Sequence, residues 1–143
     1  MRLAEEEALV RLAAHDHGIL CTVHAERGVD AVPVAYVVDE DGYVGVPVDR
    51  VKPKASSRLQ RERNLEADPR ATLLVEHWDA GDWSQLWWVR ADGTAAVWFD
   101  GPECERGLGL LRAKYPQYEH VSLVGPVIAV AVEKWASWPR EFE

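Results

Sequence analysis

Six basic side chains fall within one short stretch: Arg50, Lys52, Lys54, Arg58, Arg61 and Arg63. Glu62 is the one acid among them, so residues 50–63 carry a net +5. The whole chain carries −8, which leaves −13 for the remainder. A cationic island in an acidic protein suits a small anionic ligand. A nucleic-acid backbone favours a broadly positive surface, so nucleic acid is not the expected partner. The island begins where a strand pattern at residues 43–48 ends, and it runs into a helix pattern that stops near Asp68 and Pro69. Helix N-termini offer free N–H groups and partial positive charge, so phosphate is the favoured anion. Pro53 suits the approach to a helix, and Ser56 and Ser57 can cap it or donate to phosphate oxygens. Arg58 and Arg61 are three apart and share a helix face. The chain has no Walker-type glycine loop and no GxGxxG after a strand.

Other reactive side chains are scattered. His15-Asp16-His17 sits at a helix end, where histidines complement the helix dipole. No Cys/His cluster completes a ligand set there, so no metal is expected. His24, His77 and His120 are isolated. Cys21 alternates with apolar residues and reads as a small buried side chain. With two cysteines and no CxxC, a reducing, cytoplasmic setting is expected. No apolar run is long enough to span a membrane, and the acidic start is not a signal peptide. There are seven tryptophans. Trp87 and Trp88 are adjacent, so in a strand they face opposite sides, one inward and one toward a ligand or partner. Arg90 reads first as a surface salt-bridge partner, with the orienting of an anionic substrate as the alternative.

The elements that must position these groups are mostly strands. The chain's 143 residues suit one domain spanning residues 1–143. A helix is expected over residues 3–14, with Leu3, Leu9, Val10, Leu12 and Ala13 on one side. Ile19, Cys21 and Val23 alternate in a first strand over residues 19–24. Residues 26–30 read as a turn, and residues 31–38 as a second strand phased on Val32, Val34, Tyr36 and Val38. Asp39-Glu40-Asp41-Gly42 is a polar turn leading into the third strand. Further strands are expected over residues 71–78, 84–99 and 127–135, with Gly93 as a bend or bulge. A helix is expected over residues 103–114. Strands joined by short turns give a mainly β class: about six antiparallel strands in a barrel, with about three helices.

Four runs carry a resemblance: Val-Pro-Val-Asp-Arg-Val-Lys-Pro-Lys at residues 46–54, Arg-Asn-Leu-Glu-Ala-Asp-Pro-Arg-Ala at 63–71, Leu-Leu-Val-Glu-His-Trp at 73–78, and Asp-Trp-Ser-Gln-Leu-Trp-Trp-Val-Arg-Ala at 82–91. Together they resemble the pyridoxamine 5′-phosphate oxidase-like superfamily, and within it the B-type deazaflavin-dependent oxidoreductases. The resemblance implies an FMN-binding-type split β-barrel that forms a homodimer with cofactor sites at the interface. It implies coenzyme F420 as cofactor, with FMN as the alternative, and a planar conjugated small molecule as substrate. A non-catalytic flavin or deazaflavin carrier is the other function class. By position the resemblance implicates Lys52, Lys54 and Arg61 at the phosphate, with Ser57 and Arg58 beside them. It places Val46, Pro47 and Val48 at the strand edge under the ring and Pro33 beside it. Trp83 or Trp87 reaches the ring from the partner subunit. The hydride comes from the cofactor's own ring, so no general acid is assigned.

Replacing Lys52 and Lys54 together by Glu is expected to weaken cofactor binding at least tenfold while leaving the unfolding midpoint unchanged. Surface charges contribute little to stability. Cofactor titration alongside urea denaturation reads both.

Overall fold

A computed structural model describes residues 3–48, 59–121 and 123–139. Among the described residues seven antiparallel strands form one sheet: β1 (Gly18–His24), β2 (Gly28–Val34), β3 (Val37–Val38), β4 (Val44–Pro47), β5 (Arg70–His77), β6 (Trp87–Trp98) and β7 (Val127–Trp138). Their order is β2-β1-β5-β6-β7-β4-β3. The two edge strands, β2 and β3, are separated in sequence only by Ala35 and Tyr36. Two residues cannot cross the width of a flat seven-stranded sheet, so the sheet curls until its edges meet. The result is a split β-barrel. Three α-helices among the described residues complete it: α1 (Leu3–Ala14), α2 (Gln60–Ala67) and α3 (Gly101–Lys114).

The meeting of the edges divides the strand expected over residues 31–38 into β2 and β3. Tyr36 is fully buried at the junction and takes its partners from helices. Its N–H donates to the Tyr115 hydroxyl at 3.0 Å. Lys114 Nζ donates to its carbonyl at 3.0 Å and lies 3.8 Å from its ring centroid. The Tyr115 hydroxyl is also 2.8 Å from the Asp16 carbonyl and 2.9 Å from that of Tyr36, either of which can accept its single proton. Burial pulls the Lys114 ammonium down to about 8 and holds the Tyr115 phenol above its usual range.

The core lies inside the curl. Leu20, Leu73, Val75, Val89, Ala91, Val44, Val46 and Ile128 point into it. On β1 Ile19, Cys21 and Val23 share a face as expected, and that face is the half-buried outer one, while Leu20 and Thr22 face inward. Thr22 can face inward because its hydroxyl accepts a hydrogen bond from Asn64, which removes the cost of burying it. Cys21 is therefore half-exposed rather than buried. On α1, Ala8, Leu9 and Leu12 are buried, but Val10 points to solvent. A smaller core packs Cys104, Leu108 and Leu111 of α3 against Val37, Leu123 and Val127.

The long hairpin of β6 and β7 carries one bulge. Asp92 pairs with Lys134 but Gly93 pairs with Val132, so Glu133 is the extra residue. The extra residue reverses the phase of β7: Ile128, Val130 and Val132 face inward before it, and Trp135 after it. Gly93 permits this because a Cβ there would lie 2.0 Å from the Ala131 carbonyl oxygen. Gly93→Ala is expected to destabilise the fold by about 2–3 kcal/mol. A urea titration of the variant against the native chain reads the loss.

Candidate functional site

Helix α2 follows the basic segment and is short, polar and poorly suited to stand alone. Its attachment rests on Asn64, which is only 2% exposed. The amide Nδ2 donates to Thr22 Oγ1 at 2.9 Å and to Asp30 Oδ2 at 2.9 Å. Its Oδ1 accepts from Gln60 Nε2 at 2.9 Å. The Asn64 amide, with the Arg27 guanidinium behind it, holds the Asp30 carboxyl below its usual range. Leu65 enters the core beside Asn64. Asp68 then ends the helix by accepting from the Arg70 backbone N–H at 3.1 Å and from its guanidinium. The Pro69 carbonyl accepts from Ala95 N–H at 2.7 Å. The Asn-Leu-x-x-Asp-Pro-Arg-Ala run is thus a mechanical clasp. It joins α2 to β1, β2, β5 and β6.

The other end of the basic segment is held by β4. Val46 and Val48 are buried in the core, and Pro47 is buried as well. Their side chains therefore face the barrel interior or neighbouring strands, and only main chain is left to meet a ligand. One edge of β4 pairs with β7 through Pro47. Its other edge pairs with β3 at Val44 and Gly45, and among the described residues Val46 and Pro47 have no strand partner there. Val48 N–H donates to the Pro126 carbonyl at 3.1 Å. Lys52, Lys54, Ser57 and Arg58 lie outside the described residues. Arg61 lies half-buried on α2. Pro33 is exposed on the edge strand β2, opposite Ile19.

The outer face of the sheet carries a second candidate surface. A groove of about 520 Å³ is lined by Leu74, Trp78, Leu86, Trp87 and Trp88, with Glu76 and Arg90. The adjacent tryptophans do face opposite ways across β6. Trp87 packs toward the core, its ring 4.7 Å from that of His15 and 5.9 Å from that of His77, with the Arg11 guanidinium 5.2 Å from it. Trp88 lies on the outward row between Glu76 and Trp138. Trp83 is 70% exposed, and its ring lies 6.3 Å from that of Trp78. A more polar groove of about 440 Å³ lies beside it, with Cys21, Arg70, Thr72, Asp92 and Lys134 in its lining. Sequence reading passed over the Asn64 clasp and Leu86. The Asn64 clasp had a signal: a lone Asn ahead of a buried Leu in an otherwise charged helix.

Among the described residues no three His, Cys, Asp or Glu side chains are grouped to hold a metal. None of the described helices is long and apolar enough to cross a membrane.

The pyridoxamine 5′-phosphate oxidase family matches residues 4–139, nearly the whole chain. No curated protein matches the sequence. Among solved structures, a conserved hypothetical protein from Mycobacterium tuberculosis superposes with a TM-score of 0.74 at 18% identity, covering 99% of this chain and 86% of that one. A heme-binding protein from Mycobacterium smegmatis superposes at 0.73 with 21% identity over 96% of this chain, which spans 54% of that protein's length. A FAD-binding protein from Mesorhizobium loti superposes at 0.65 with 14% identity, covering 96% and 94% of the two chains. At such identities the likeness is one of fold.

Asn64→Ala removes the clasp and leaves the buried Thr22 hydroxyl without its amide donor. The expected loss is about 2 kcal/mol, the cost of an unsatisfied buried polar group. Thermal and urea unfolding both read it.

Proposed function

Since the chain belongs to the pyridoxamine 5′-phosphate oxidase family, we propose that it is an F420-dependent oxidoreductase acting on a planar conjugated small molecule. The observation that carries this reading is the position of the +5 segment. In sequence it starts two residues after Val48, and it ends within helix α2, which Asn64 clasps to the sheet. A phosphate bound by Lys52, Lys54 and Arg61, with Ser57 and Arg58, brings the attached ring toward the main chain of Val46, Pro47 and Val48. Backbone N–H and C=O groups at an unpaired strand edge suit the polar rim of a tricyclic ring. Bound in its reduced form, the deazaflavin supplies hydride to the acceptor, and solvent supplies the proton. The chain's own work is to hold the phosphate, orient the ring and exclude water.

A homodimer completes the reading. Val29, Trp78, Trp83 and Trp138 are exposed large apolar side chains, the kind of surface a second copy could cover. A second copy seated there turns each tryptophan groove into one wall of a cleft, and Trp83 then meets the partner's ring, while Trp87 packs inward against His15 and His77. Pro33 lies on the same face, opposite Ile19. The free thiols of Cys21 and Cys104 agree with a reducing cytoplasm. A FAD-binding and a heme-binding protein share this fold, so the choice of a phosphorylated deazaflavin rests on charge and on the sequence resemblance.

Titrating the purified protein with F420 is expected to quench tryptophan emission saturably in the micromolar range. Reduced F420 is then expected to be oxidised by menadione in the protein's presence. No quenching at high micromolar F420 defeats the reading. A yellow, fluorescent preparation identifies FMN as the cofactor instead. Binding without turnover on any quinone identifies a carrier.

A further inference from the structure

One cation of the outer face is held rigidly and left partly unused. Arg90 lines the tryptophan groove. Its Nε donates to Asp92 Oδ2 at 3.0 Å. Asp92 is fixed in turn by Thr72, whose hydroxyl donates to Oδ1 at 2.7 Å. The guanidinium carbon lies 5.6 Å from the Trp88 ring centroid, a cation–π distance. Asp92 and Trp88 therefore bear directly on the guanidinium, and Thr72 holds Asp92. Yet neither terminal nitrogen has a hydrogen-bond partner among the described residues. An arginine held at Nε with its terminal nitrogens open presents hydrogen-bond donors in the geometry that carboxylates accept. The rest of the lining is apolar except for Glu76, which also has no partner among the described residues.

We infer that the acceptor is a planar aromatic carboxylate, whose ring lies on the tryptophans of this groove and whose anion is received by Arg90. The inference rests on the proposed function for the word acceptor, and on the groove alone for the ligand class. Arg90 and Glu76 occupy successive outward rows, Arg90 opposite Leu74 and Glu76 opposite Trp88. The groove is thus bipolar, and the anion belongs at the Arg90 end with neutral or donor groups toward Glu76. A second copy over this face would exclude water from the contact and strengthen it. Asp92 acts as a positioning residue, because it touches the guanidinium and not the ligand.

Two probes of one shape test this: 1-pyrenebutyrate, an anion, and 1-pyrenebutanol, its neutral counterpart. Each is titrated into the native protein by quenching of tryptophan emission. The butyrate is expected to bind about tenfold more tightly, as one charge-assisted contact allows. In Arg90→Met the preference is expected to fall below about twofold, with butanol affinity unchanged, which also reports that the groove is still folded. Glu76→Gln, an exposed change, is expected to tighten butyrate about twofold and leave butanol alone. Equal affinities in the native protein, a preference that survives Arg90→Met, weaker butyrate binding in Glu76→Gln, or no binding of either probe overturns the inference. An F420 titration of the native protein runs alongside. Probe discrimination without F420 binding overturns the cofactor reading and leaves the carboxylate site standing; F420 binding without discrimination does the reverse.

Discussion

The carboxamide of Asn64 makes three hydrogen bonds in a place with almost no access to water. A buried amide of this kind cannot exchange one partner for another without leaving a donor or acceptor bare. That makes it a register pin rather than a large source of stability. It fixes α2 against the β1–β2 hairpin through Thr22 and Asp30. It also lets β1 turn a polar side chain inward, which sends Ile19, Cys21 and Val23 to the outer face. Both candidate surfaces follow from it: the cationic segment whose far end α2 holds, and the half-apolar sheet face opposite the core.

The closure of the barrel is a second constraint, and it too is polar. Tyr36 sits where the sheet's edges meet, and its main chain bonds to α3 through Tyr115 and Lys114. The short β3 that results covers only the first half of β4. That Val46 and Pro47 have no strand partner on that side among the described residues is therefore a consequence of how the barrel closes. At the opposite side, the bulge at Gly93 shifts the phase of β7 and brings Lys134 opposite Asp92 on the outer face.

Much of this was legible in the sequence. Alternating apolar residues located the strands, but β2 begins at Gly28, inside the turn expected over 26–30, and the strand expected from residue 84 begins at Trp87 after a short 3-10 turn. The break at Ala35 and Tyr36 was missed because Tyr36 keeps the alternation while its main chain leaves the ladder. Gly93 announced its bulge, because only a residue without Cβ tolerates the Ala131 carbonyl so near. The phase of β1 was not legible. Ile19, Cys21 and Val23 look like a core face until Thr22 finds its partner forty-two positions away. The same long-range bond hides inside the Asn-Leu-x-x-Asp-Pro-Arg-Ala run, which sequence can recognise as a signature without showing what it holds. The charge island needed no structure, since counting residues reveals it. That Val46 and Val48 face the core and offer a ligand only their main chain required the fold, because buried strands read alike on both faces.

Central to the account is that one phosphate joins the segment after β4 to the clasped helix α2. A crystal structure of the protein with F420 tests that most directly. The account predicts the cofactor phosphate within hydrogen-bond reach of Lys52, Lys54 or Arg61, and the ring against the main chain of Val46, Pro47 and Val48. A phosphate bound anywhere else on the chain, with those side chains uninvolved, would contradict it.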